Sequence, residues 1–358
     1  MRRWVLVALS FAGVASLTSV LSAQVPATGE EMYRQWCAVC HGEDGRGKPR
    51  ERPVPTVPMD LTDCRLTTPE TDADWVLVIT HGGVAAGRSA DMPGFEMLPD
   101  AAVREILLYV RALCRDSRWP SGNLNSPRSV FTPKAFPENE VVLQSAVSHG
   151  RDSNPRARLD ASYATRIGPR GEVEITVPAE TVTFSGRRVN GIGDVTVEGR
   201  YVLYANDARA AIASVGIETS CRTGSRRWAF GEGTTVYHPF LSAGVVRHLV
   251  SLQADLRAIL PVRKFPTEPV HYLEYGVSVL RAWSTSPTAW TVGVEVNGID
   301  TSVAVAPEVA KRLTRTGALW GGIGVQIPVR PVPPLVRGVT RWSGYLAWDY
   351  LEPIRSRR

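Results

Sequence analysis

From residue 141 onward, apolar and polar residues alternate with a period of two, as in strands that bury one face. Val173, Ile175 and Val177 alternate with Glu172, Glu174 and Thr176. Val250, Leu252, Ala254, Leu256 and Ala258 alternate with Ser251, Gln253, Asp255 and Arg257. The same rhythm recurs around Val195–Leu203, Ala211–Ile217, Trp290–Val296, Leu319–Ile327 and Trp342–Tyr350. Each run lasts ~8 to 12 residues, the length a tilted transmembrane strand needs. Trp and Tyr gather near the ends of the runs, as in interfacial girdles. At about 18 residues per strand and turn, residues 141–358 accommodate an antiparallel β-barrel of roughly 12 strands. Period two does not say which face points outward. A soluble barrel or sandwich with an apolar interior gives the same alternation. Long charged strands and the aromatics favour a membrane barrel.

Upstream the period changes to that of helices. Thr28 can cap a helix, and Glu31 three residues later completes a capping box. Asp74 to Thr80 forms a short helical run that ends at Gly82-Gly83. Asp100 can cap a last helix with Val103, Leu107, Val110 and Cys114 on one face. Both periods vanish between Arg115 and Glu140, where Pro120, Gly122, Pro127, Pro133 and Pro137 fall. That stretch reads as a semi-extended connector. The chain thus divides into residues 1–23, a helical domain over 24–118, a Pro-rich linker over 119–140 and a barrel over 141–358.

The first 23 residues read as a secretory signal. Arg2 and Arg3 precede an apolar stretch from Trp4 to Leu21, and Ser22-Ala23 offers a cleavage site before Gln24. The alternative is an uncleaved anchor. Either way the rest of the chain is exported, and no later run of ~20 apolar residues provides a second membrane helix. The net charge of +6 raises the question of nucleic acid. The positive charge is nearly all Arg and is scattered, without a basic stripe or aromatic–basic interleaving, so no nucleic-acid partner is expected.

The 5 cysteines make a poor disulfide framework, being odd in number, but two of them carry a motif. Cys37-Ala38-Val39-Cys40-His41 is the c-type haem attachment pattern. Two thiols three residues apart meet the two vinyl groups of one haem, and the following histidine becomes the proximal iron ligand. A thioredoxin-like pair would need a βαβ context, and a zinc site a second close pair. The candidates for the sixth ligand are Met92, Met59, Met97 and His81. Pro93 fixes the loop after Met92, which favours it; Met97 reads as a core residue and His81 as a polar helix end.

These residues resemble the class I cytochrome c family. Tyr33 to Gly42 is similar to its first helix and haem motif, and Gly45-Arg46-Gly47 to its glycine-rich turn. Asp91-Met92-Pro93-Gly94-Phe95 looks like its distal Met-Pro motif, and Leu98-Pro99-Asp100 like the start of its last helix. The resemblance implies a small all-α domain whose last helix packs on the first near Tyr33 and Trp36. It also implies one covalent haem c, with iron held by His41 and Met92. Cys64 and Cys114 are extra to the simplest members. In an oxidising compartment they can pair, the alternative being two buried thiols. Cys221 is expected to stay unpaired.

The β segment resembles outer-membrane transporter-like barrels related to phenol-degradation pathways, in Gly191-Ile192-Gly193-Asp194 entering a strand and in Gly322 to Pro328. It departs from the barrel norm at its end, Arg355-Ser356-Arg357-Arg358, which lacks a terminal aromatic. No catalytic constellation is visible. His238, His248 and His271 stand apart and read as loop or wall residues rather than metal ligands. The leading expectation is an electron carrier of the periplasm and outer membrane of a Gram-negative-type cell, exchanging electrons with redox partner proteins. A barrel transporter with a redox-coupled haem domain, a haem peroxidase or sensor with a labile Met ligand, and a soluble docking module are the alternatives.

Overall fold

The structure is a computed structural model that describes residues 28–47, 55–86, 88–150, 153–184, 186–263, 272–284, 286, 288–314, 319–330 and 340–349. The expected signal segment, His271 and the Arg-rich end fall outside the described residues.

The N-terminal part is all helix: α1 (Gly29–Trp36), α2 (Ala38–His41), α3 (Cys64–Thr67), α4 (Asp72–His81) and α5 (Asp100–Leu113). The capping box on α1 forms as the spacing predicts, with Thr28 and Glu31 bonding each other's backbone N–H. The start of α5 differs from expectation. Pro99 is the N-cap and Asp100 is the first helical residue, so its carboxylate meets the helix dipole without capping a backbone N–H. Helices α1 and α5 pack through Tyr33, Ile106, Leu107 and Val110, with the Tyr33 and Tyr109 ring centroids 5.1 Å apart. A Cβ on Gly29 would lie 2.1 Å from the Glu105 carbonyl, so only glycine permits that approach.

Cys64 and Cys114 form a disulfide that ties α3 to the end of α5. It closes a loop of 50 residues, so replacing both cysteines by serine should destabilise the helical domain by about 4 kcal/mol. The expected reading is a lower urea midpoint for that domain with the barrel transition unchanged.

Among the described residues thirteen strands follow, β1 (Glu140–Gly150), β2 (Ser153–Ile167), β3 (Gly171–Phe184), β4 (Arg187–Ile192), β5 (Thr196–Asn206), β6 (Ala211–Ser220), β7 (Val236–Arg247), β8 (Val250–Pro261), β9 (Tyr272–Ala282), β10 (Trp290–Ile299), β11 (Val303–Arg312), β12 (Leu319–Arg330) and β13 (Thr340–Asp349). Each pairs antiparallel with its neighbours, and β1 closes on β13 from Glu140↔Asp349 to His149↔Thr340. The ring holds twelve strands. The extra one, β4, pairs only with the far half of β3, because β5 takes the near half, Gly171–Thr176.

The structure decides which face points out. Leu143, Val177, Leu252, Val279, Val294 and Leu346 are exposed on the outer wall, while Ser214, Gln253, Ser278 and Glu295 between such residues are buried inside. A soluble barrel would reverse this, and an apolar exterior around a polar interior is the arrangement a bilayer requires. Trp290 and Trp348 sit outside at one end, Trp342 and Tyr237 outside at the other. The helical domain sits at the end with the turns 168–170, 207–210 and 248–249, where Arg312 of β11 pairs with Asp74 of α4 and Arg170 donates to the Arg118 carbonyl over 3.1 Å. Among the described residues, the opposite end carries the long connection 221–235. Short turns mark the periplasmic end of such barrels.

The Pro-rich stretch is not a free connector. After a 3-10 turn at Gly122–Leu124 it enters the barrel, and Val130, Thr132, Ala135 and Phe136 are all buried there.

Candidate functional site

Cys37 sits at the break between α1 and α2, and Cys40 and His41 end α2 one turn later. Gly42 then turns the chain with φ 78°, and the buried Tyr33 hydroxyl donates to the Gly42 carbonyl over 2.9 Å, fixing the motif against the α1–α5 core. These three residues and Met92 line one cavity of about 310 Å³. Its walls include Leu61, Val78, Ile79, Phe95, Ile106 and Val110, so they are mostly apolar.

His41 Nδ1 lies 3.3 Å from the Met59 carbonyl. A carbonyl only accepts, so that bond puts the proton on Nδ1 and leaves the Nε2 lone pair for a metal. Burial pushes the His41 pKa down, outweighing the Met59 bond, and keeps the imidazole in its neutral, ligating form. Burial, helped by Cys40, raises the Cys37 thiol to about 11.

Met92 is held by a tightly folded loop. The Gly83 N–H donates to the Met92 carbonyl over 3.0 Å, and Phe95 N–H donates to Ile79 over 2.9 Å. Gly82 caps α4 with φ 80°, a conformation that suits glycine. Asp91, beside Met92, accepts from Thr56 N–H over 3.1 Å and from the Thr56 hydroxyl, which lowers its pKa and clips the loop before Met59 to the loop of Met92. Both loops line the cavity.

The other sixth-ligand candidates fare differently. His81 is exposed and pairs with Glu96 at 2.9 Å. Met97 is 69% exposed rather than a core residue. Met59 also lines the cavity, and its carbonyl faces the His41 ring.

The cavity suits a large, flat, mostly apolar group with polar edges. Two thiols, one imidazole and one thioether line it, the donor set that a covalently held haem requires. The residues present therefore fit a haem. The Met59 carbonyl and the Thr56 clip were missed by sequence reading. Backbone acceptors leave no signature in a sequence, and Thr56 is a single residue outside any motif.

Fold and site together define a cytochrome c-type domain joined to a membrane-type β-barrel. Residues 24–110 match the family model described as cytochrome c oxidase, cbb3-type, subunit III. Among solved structures the chain is similar to the KdgM porin, at 11% identity over 59% of this chain and 99% of that one, with a TM-score of 0.41. It is also similar to an outer-membrane channel from Pseudomonas putida F1, at 14% identity over 63% and 99% of the two chains, with a TM-score of 0.42. No curated protein matches it.

Proposed function

We propose that this protein is an exported c-type cytochrome that passes single electrons between redox partner proteins and is anchored in an outer membrane by its barrel. Residues 24–118 form the haem domain on the periplasmic side, 119–140 the linker and 141–358 the barrel. The convergence of Cys37, Cys40, His41 and Met92 on one apolar cavity carries the reading. A bound haem would supply a one-electron couple whose potential its axial ligands raise or lower. The residues do the rest. The Cys37 and Cys40 thiols would attach one haem covalently, His41 is aimed by Met59, and Met92 is held on its loop by Gly83 and Asp91. With His41 and Met92 both holding its iron, a bound haem would offer substrate no open position, which favours a carrier over a peroxidase or sensor.

The purified protein is expected to show the reduced spectrum of low-spin haem c. Met92→Ala should remove the thioether–iron charge-transfer band, whereas Met59→Ala and Met97→Ala should keep it. A Met92→Ala protein with the band unchanged would sink the ligand assignment. Outer-membrane fractionation with haem staining tests the location, and release of the intact chain by osmotic shock would contradict it.

A further inference from the structure

The barrel wall is built like that of a porin, but its interior is not open. Five lumen-facing polar residues, Ser214, Ser242, Gln253, Ser278 and Glu295, have 0% exposure. In a water-filled channel such residues would be among the wettest of the wall. What covers the lumen at this level is the chain's own segment 125–139.

That segment is bound as a ligand would be. Val130 N–H donates to Glu308 of β11 over 2.6 Å, and Phe131 N–H to Glu295 of β10 over 2.8 Å. Gln253 of β8 donates to the Pro127 carbonyl over 3.0 Å, and Tyr345 of β13 to the Arg128 carbonyl over 2.8 Å. On the other side, Ser214 of β6 donates to the Ala135 carbonyl over 2.5 Å, and Glu138 N–H donates to Glu172 of β3 over 2.5 Å. Thr132 Oγ1 would come 2.9 Å from a Cβ on Gly276, midway along β9, so the segment descends to the middle of the barrel before returning to β1. At its foot Lys134 pairs with Glu138 and Arg128 with Glu140. The prolines suit this path. They hold an extended, non-helical backbone and remove N–H groups that the lumen would have to satisfy.

We propose that residues 125–139 are a plug that seals the barrel to solutes, so that the barrel serves as an anchor and not as a pore. The inference stands apart from the haem reading. A sealed lumen would hold were no haem bound, and an open lumen would leave the ligand assignment untouched.

The test is conductance of the full chain in planar bilayers, with heat-modifiable gel mobility reporting that the barrel is folded. The wild type should be silent. A chain with residues 126–137 replaced by a Gly-Ser stretch of equal length should show steady open-channel current. Equal conductance of the two, or silence of both, would overturn the proposal, the second because something else would then shut the lumen. Should the replaced chain fail to fold, Ser129→Cys in a Cys221→Ser background gives an independent reading, with the Cys221→Ser chain alone correcting for any label that Cys37 and Cys40 take up. A small charged maleimide should fail to label Cys at 129 in the folded barrel and label it fully in denaturant, while Thr301→Cys in the same background labels at once. Labelling of the two positions at equal rates in the folded barrel would overturn the plug.

Discussion

Replacing Cys37 and Cys40 together by alanine is expected to give a protein without haem after a denaturing gel, and with a helical domain that no longer holds its fold. The first part follows from the covalent links. The second follows from the cavity. With no group in it, the space of about 310 Å³ leaves its apolar walls facing water. Tyr33, Trp75, Ile79, Ile106 and Val110 all belong to both the core and the cavity wall, so the domain has little core that is independent of the site. Haem staining and protease resistance of residues 28–113 read the two effects. The barrel should keep its heat-modifiable mobility. Haem that survives the denaturing gel in the double variant would refute attachment through these thiols.

Gly83→Ala should have the second-largest effect, although the residue touches no ligand atom. A Cβ there would lie 2.2 Å from the Ser89 carbonyl and 3.3 Å from the Met92 side chain, and the first of these neighbours is backbone. The loop from Ser89 to Pro93 must therefore move, and with it the Met92 thioether. The expected result is loss of the thioether–iron band. The potential should also fall by a sizeable fraction of the roughly 0.8 V range that axial ligands span. His41 and the two thiols are on the other loop system and should retain the haem. A Gly83→Ala protein with unchanged band and potential would show that the loop does not position Met92.

The parts of this molecule that were legible in the sequence share one property: a local rule ties residue type to position. The haem motif has fixed spacing because two thiols and an imidazole must reach one planar group. The strands announce themselves because every second residue stands on the apolar outer face of the wall. The capping box of Thr28 and Glu31 is legible for the same reason. Asp100 misled because Pro99 already supplies the extended residue at which a helix starts, leaving the aspartate inside. Met97 misled because a lone apolar residue carries no period to say which way it faces. The orientation of the wall was undetermined for a different reason, since alternation is symmetric between its two faces. The segment 125–139 announced its extended backbone through its prolines but not its place inside the barrel. Its hydrogen-bond partners stand on β3, β6, β8, β10, β11 and β13, far away in the sequence, and its own residues follow no period.

The closing seam of the barrel joins Glu140 to Asp349, across almost the whole length of the β segment. Loop-closure entropy makes such a pairing the last to form, after the hairpins between neighbouring strands. The segment that fills the lumen runs directly into β1, one edge of that seam. Both ends of that segment lie at the mouth that carries the helical domain, so it can enter a finished ring as a loop without any part of the chain being threaded. Closing the wall and filling the lumen are therefore separable events, and a ring whose seam is shut while the loop still lies outside is a stage the topology permits.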